Sequence, residues 1–148
     1  MSAVDFLSAD DVTIDVAPAD KSVLLRQLAI EAAARIGLDG ELVSADVLKR
    51  EALGSTGVGK GIAMPHARID GLLRPAAAIA RLRRAIDFDA IDGEPVDFVA
   101  LLLLPGKQES GALNVLAALA RKLRDEGVMR RVRAARTADE LCAVLKAE

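Results

Sequence analysis

The chain contains one histidine, His66, directly after Pro65. A neutral imidazole is a competent nucleophile, and a reference pKa of about 6.5 leaves much of it neutral at cellular pH. Proline fixes its own φ and drives Met64 into extended backbone, so a stiff segment presents the ring. Upstream lies a glycine-rich stretch, residues 54–61, with the hydroxyls of Ser55 and Thr56 beside Gly57. Glycines let backbone N–H groups approach an anion, and hydroxyls can donate to phosphate oxygens. The same stretch also reads as a plain turn between a helix and a strand. Residues 54–60 fit G-x-x-x-x-G-K, but Gly61 stands where a P-loop needs Ser or Thr for magnesium, and a strand is expected to follow instead of a helix. Arg50 precedes the loop. Its guanidinium can bind phosphate bidentately, or it can be a solvated helix charge bridging to Asp46 one turn earlier. A nucleophile, a fixed cation and hydroxyl-bearing loop amides fit phosphoryl transfer, which depends on positioning and charge stabilisation more than on acid–base chemistry.

The elements that must hold these groups follow from periodicity. Residues 12–16 are β-branched enough for a strand. Asp20 caps a helix running to Ile36, with Leu24, Leu28, Ala32 and Ile36 on one face and Gly37 as its stop. A second helix spans residues 41–53 and buries Val43, Val47 and Leu48. Residues 62–64 form a short strand that ends at His66. Strands are expected over 76–82 and 96–104, the second apolar enough to be buried on both faces. Residues 86–93 are an Asp-rich turn region. A helix over 112–124 carries Leu113, Leu116, Ala117, Ala120 and Leu123 on one side and ends at Gly127. A basic helix follows over 128–135. Thr137 and Glu140 make a capping box for a last helix with Leu141, Val144 and Leu145. Without strict βα alternation, repeats or linkers, the pattern predicts an α/β single domain over residues 1–148: a mixed β-sheet flanked by helices.

The composition excludes several functions. Aromatic residues make up 2% of the chain, so the core must be aliphatic and base-stacking platforms are absent. Twenty basic against 22 acidic residues give a net charge of −2, which offers no footprint for nucleic acid or a membrane surface. The single cysteine, Cys142, sits among apolar residues and reads as core. One histidine and one cysteine cannot build a metal cluster, so no metal site is expected. The apolar run 98–104 is far too short to cross a bilayer, and no basic region followed by an apolar run opens the chain. A cytoplasmic location is expected.

The stretch from Arg50 to His66, Arg-Glu-Ala-Leu-Gly-Ser-Thr-Gly-Val-Gly-Lys-Gly-Ile-Ala-Met-Pro-His, resembles the signature of type-2 enzymes IIA of the phosphoenolpyruvate-dependent phosphotransferase system. That family includes fructose, mannitol and nitrogen-regulatory members. Residues 86–97, 99–105 and 130–136 resemble the nitrogen-regulatory branch, and the likeness runs over about residues 12–146. The resemblance implies a mixed sheet flanked by helices. It implies that an HPr-like phosphocarrier passes a phosphoryl group to His66, that Arg50 neutralises it, and that Ser55, Thr56 and Gly57 line the site. No cofactor is implied. The chain would be a phosphoryl carrier with a phosphohistidine intermediate and not a turnover enzyme on a free substrate, and a regulatory target protein is its implied second partner. Two departures stand out. The helix near residue 112 carries a second active-site histidine in the family, within a His-Leu pair, and here the pair reads Ala112-Leu113. Asn114, the nearest polar residue, lies two positions on, toward nearly the opposite helix face. Lys60 stands between two glycines in place of the usual Asn.

Three readings remain open on the sequence. The first is a regulatory phosphoryl carrier. The second is a binding module on the same fold that has lost efficient transfer, as Ala112 would allow. The third is a sugar-transport component that hands phosphate to an enzyme IIB domain. Met64, Ile69 and Leu72 are candidates either for a docking surface or for the core.

Overall fold

The computed structural model describes residues 3–106 and 110–147. Six strands form one mixed sheet in the order β1-β5-β6-β3-β2, with β4 also on β6. β1 (Val12–Val16) runs parallel to β5 (Ala76–Ile86), and β5 runs antiparallel to β6 (Val96–Pro105). The other edge of β6 is shared by two short parallel pieces, β3 (Ile62–Ala63) opposite Phe98 and Val99, and β4 (His66–Ile69) opposite residues 102–105. β2 (Gly57–Gly59) folds back antiparallel on β3.

β6 is the central element because it is apolar on both faces, as expected. Phe98, Ala100, Leu102 and Leu104 enter one core, packed with α3 (Ser110–Arg124), α4 (Glu126–Ala134) and α5 (Ala138–Lys146). Val99, Leu101 and Leu103 alternate into a second core under α1 (Lys21–Arg35) and α2 (Gly40–Ala52). Phe98 and Leu101 are fully buried, and each such side chain contributes about 1.5–3 kcal/mol relative to exposure. The core is aliphatic but for Phe88 and Phe98, and Cys142 lies within it.

Caps set the helix boundaries. Asp20 accepts from the Val23 N–H at the start of α1, and Asp39 accepts from the Glu41 and Leu42 N–H groups at the start of α2. Thr137 Oγ1 accepts from the Glu140 N–H, but the Glu140 carboxylate reaches the N–H of Arg136 and not that of Thr137, so the expected box closes one residue early. Gly127 does not end α3. Asp125 accepts from the Gly127 and Val128 N–H groups and starts α4, with the glycine inside its first turn.

Two helix faces differ from the periodic reading. Ile36 is 36% exposed, because α1 ends at Arg35 and the chain turns away through Gly37 at φ +73°. α3 buries Val115, Leu119 and Leu123, while Ala117 is exposed and Leu116 and Ala120 lie at the margin. Alanines placed the expected stripe about one position off; the bulkier aliphatics decide which side meets the sheet. Leu113 falls outside the residues whose side chains are described.

β2 and β4 are unanticipated strands. Both are short and polar or glycine-rich, and they exist because β6 and then β3 offer unpaired edges to residues already held nearby. His66 consequently opens a strand and does not end one. Residues 64–65 form the break between β3 and β4, where Pro65 supplies no N–H but its carbonyl accepts from Leu102 N–H at 2.9 Å.

Candidate active site

His66 begins β4, and the Nδ1 of its half-buried ring lies 3.0 Å from the Met64 carbonyl. A carbonyl only accepts, so Nδ1 carries the proton and Nε2 of the neutral ring carries the lone pair. Ala67 and Ile69 enter the core beneath α1 and α2, and His66 and Arg68 alternate with them.

α2 brings Arg50 to this strand. The two elements line one open cleft of about 350 Å³, walled by Asp46, Lys49, Arg50, Leu53, His66, Ala67 and Arg68. Arg50 Nη1 donates to the Gly54 carbonyl at 3.1 Å. Among the described residues it makes no ion pair, with Asp46 or any other acid. Three cations against one carboxylate make the cleft electropositive around the histidine. It suits an anionic group of modest size.

The structure does not bring the Ser55, Thr56 and Gly57 donors into that cleft. Thr56 is buried, and both of its donors are taken by Glu51: its N–H reaches Oε2 at 3.0 Å and its hydroxyl reaches Oε1 at 2.6 Å. Ser55 Oγ donates to the Phe88 carbonyl at 2.9 Å and accepts the Gly57 N–H at 3.0 Å. Gly57 is required for close approach, since a Cβ there would lie 2.7 Å from that of Ala90. Thr56 is turned inward by a carboxylate that the sequence reading did not single out, and Ser55 and Gly57 are engaged by the Phe88 carbonyl and the Ser55 hydroxyl. What the loop gives the site is backbone: the Thr56 carbonyl accepts from Met64 N–H at 3.0 Å, and Met64 in turn holds His66.

Lys60 stands apart from the histidine. It turns the β2–β3 hairpin at φ +57°, its N–H donates to Asp92 Oδ2 at 3.0 Å, and its ammonium lies 3.6 Å from Glu126. The Glu94 N–H donates to Asp92 Oδ1 at 3.0 Å, and the two backbone bonds, Lys60's the larger effect, hold the carboxyl below the usual range. Met64 and Ile69 are core, at 3% and 5% exposure, and Leu72 packs partly against it. The exposed apolar residue of the cleft is Leu53, at 82%. Ala112 falls in the first turns of α3, its side chain outside those described, and Asn114 is exposed.

Of the site residues missed on the sequence, Arg68 follows from strand periodicity once β4 is known. Glu51 also left a signal. It continues the buried stripe of Val43 and Val47 at four-residue spacing, and a carboxylate there demands partners.

Known proteins resemble this chain over most of its length. The family described as "Phosphoenolpyruvate-dependent sugar phosphotransferase system, EIIA 2" matches residues 5–148. A nitrogen regulatory protein of Bradyrhizobium diazoefficiens is 37% identical over 145 residues, covering 98% of this chain and 95% of that protein. A nitrogen regulatory protein of Escherichia coli is 39% identical over 115 residues, 77% of this chain and 71% of the relative. The crystal structure of nitrogen regulatory protein IIA-Ntr from Neisseria meningitidis superposes with a TM-score of 0.90 at 30% identity, covering 96% of this chain and 97% of that one. The E. coli mannitol IIA structure shares the fold at a TM-score of 0.76 and 24% identity, covering 94% of this chain and 98% of that one. The chain therefore belongs to the type-2 enzyme IIA family of the phosphoenolpyruvate-dependent phosphotransferase system, as a phosphoryl-carrier protein of its nitrogen-regulatory branch.

Proposed function

We propose that His66 accepts the phosphoryl group at Nε2 from an HPr-like phosphocarrier and that the phosphorylated state governs binding to a regulatory target protein. The observation that carries this reading is the Nδ1–H bond to the Met64 carbonyl on a histidine that shares an electropositive cleft with Arg50. In the transfer, the P–N bond of the donor phosphohistidine breaks and its electron pair stays on the donor ring. The Nε2 lone pair forms the new bond to phosphorus. His66 keeps its Nδ1 proton, and the Met64 carbonyl stabilises positive charge developing on the ring. Arg50 meets the incoming oxygens, with Lys49 and Arg68 raising the local potential. Ser55, Thr56 and Gly57 serve through the backbone they hold. Exposed Leu53, at the rim, supplies apolar contact for a small transient docking surface. Phosphorylation adds about −2 charge to a cationic cleft, which changes the surface any target meets.

The test incubates the protein with enzyme I, an HPr-type carrier and phosphoenolpyruvate and follows intact mass, with His66→Ala in parallel. The expected result is one acid-labile phosphate, absent in the variant. That result would also show that the family's second histidine, Ala112 here, is dispensable. Absence of label, while another enzyme IIA is labelled in the same mixture, refutes the carrier reading and leaves a binding module.

A further inference from the structure

Glu51 is a carboxylate at 8% exposure, a burial that such groups tolerate only when paired. Its two oxygens receive three donors: the Thr56 hydroxyl at 2.6 Å, the Thr56 N–H at 3.0 Å and Lys21 Nζ at 2.8 Å. Lys21, the first residue of α1, is itself fixed. It donates to the Phe88 carbonyl at 3.0 Å and sits 4.5 Å from the Phe88 ring centroid. The Phe88 carbonyl also accepts from Ser55. The segment between α2 and His66 is thus bolted at Thr56 to Glu51 and at Ser55 to Phe88. From Thr56 the constraint has one short route onward. The Thr56 carbonyl takes the Met64 N–H, and the Met64 carbonyl takes Nδ1–H of His66. Met64 lies in the break between β3 and β4, held by this bond to Thr56 and by its neighbour Pro65, whose carbonyl accepts from Leu102 N–H. A hydrophobic group could fill the space of the Lys21–Glu51 pair at no necessary loss of stability, so packing alone gives no reason for it.

We propose that Glu51 is a positioning residue for His66: its buried carboxylate fixes Thr56, and Thr56 and Met64 pass that constraint through two hydrogen bonds to the imidazole, holding the tautomer that leaves Nε2 free. The consequence for transfer rests on the carrier reading above; the effect on the ring does not.

His66 is the only histidine, so its two ring nitrogens can be read without ambiguity in the full-length 15N-labelled protein. Long-range proton–nitrogen spectra of the neutral ring give the tautomer ratio for the parent, Glu51→Gln, Thr56→Val and Thr56→Ser. The parent is expected almost wholly as Nδ1–H. Glu51→Gln and Thr56→Val raise the Nε2–H fraction several-fold, and Thr56→Ser, which keeps the hydroxyl, returns the parent ratio. With an HPr-type carrier as donor, the maximal rate constant for labelling falls roughly tenfold in the first two variants, as for other residues that orient a reacting group, while the half-saturating carrier concentration stays within about twofold. If Glu51→Gln fails to fold, Thr56→Val decides. Folded variants with lower stability but the parent tautomer ratio overturn the proposal, as does a parent already in the Nε2–H form. A shifted ratio in the variants with no labelling of the parent supports the positioning of the ring and refutes the carrier reading alone.

Discussion

Replacing Arg50 tests the electrostatics of the cleft most directly. The guanidinium is half-buried, its bond is to one exposed carbonyl, and among the described residues it makes no ion pair with a carboxylate. The phosphoryl group arrives with about −2 charge near neutral pH. A charge-assisted hydrogen bond is worth about 1.5–3 kcal/mol net, below the bare Coulomb attraction near a protein surface of about 4 kcal/mol per unit of negative charge at ~4 Å. Taking about 2 kcal/mol, Arg50→Ala lowers the second-order rate constant for labelling roughly 30-fold. Arg50→Lys keeps the charge but loses the planar fork, so it falls between, roughly three- to tenfold below the parent. Stability changes little by comparison. The variant loses one exposed bond to Gly54 and a favourable charge in the last turn of α2, about 1 kcal/mol or less. That corresponds to a Tm shift of roughly 2–4 °C or less for a chain of this size. The assay is a labelling time course by intact mass at several carrier concentrations, with circular dichroism melts of the same samples. Arg50→Ala labelled within twofold of the parent, with its fold intact, would refute the role given to the cleft's charge.

Leu119→Ala removes a fully buried side chain of α3 and should cost about 2–5 kcal/mol, read as a lowered denaturation midpoint, whereas Ala117→Ser on the exposed side should change stability by less than about 0.5 kcal/mol. Asp92 is held below its ordinary value of 3.8 by the Lys60 and Glu94 N–H groups. Its contribution to stability is therefore present above 3.8 and lost as pH falls through the lower folded-state value, and Asp92→Asn should flatten the acid limb of a stability–pH profile below about pH 4. Burial pushes the Cys142 thiol above its ordinary value of 9.0, so alkylation at pH 8 should be slow in the native protein and rapid once it is unfolded. The linked stability is present below 9.0 and fades as pH rises through the folded-state value.

Local chemistry decided much of this protein. Asp20 and Thr137 cap helices because a side-chain oxygen and an unpaired N–H lie within a few residues of each other. The continuous apolar run of β6 reads as a strand buried on both faces, and it is one. The pairing of His66 with Arg50 as candidate reacting groups was legible because each residue type carries its own chemistry. What the sequence did not show were relations between distant partners. His66–Ile69 is a strand only because β6 has a free edge beside it, a fact held 36 residues away in the pairing of His66 with Leu102. The phase of α3 depends on which of its apolar residues meets the sheet. Ser55 and Thr56 have the composition of a phosphate cradle, but a hydroxyl bonds the acceptor that the fold brings nearest. Phe88 and Glu51 are nearer than the cleft. The sequence supplied the candidate groups; the tertiary structure decided which polar atoms are left free beside them, because each buried donor must first be satisfied within the fold.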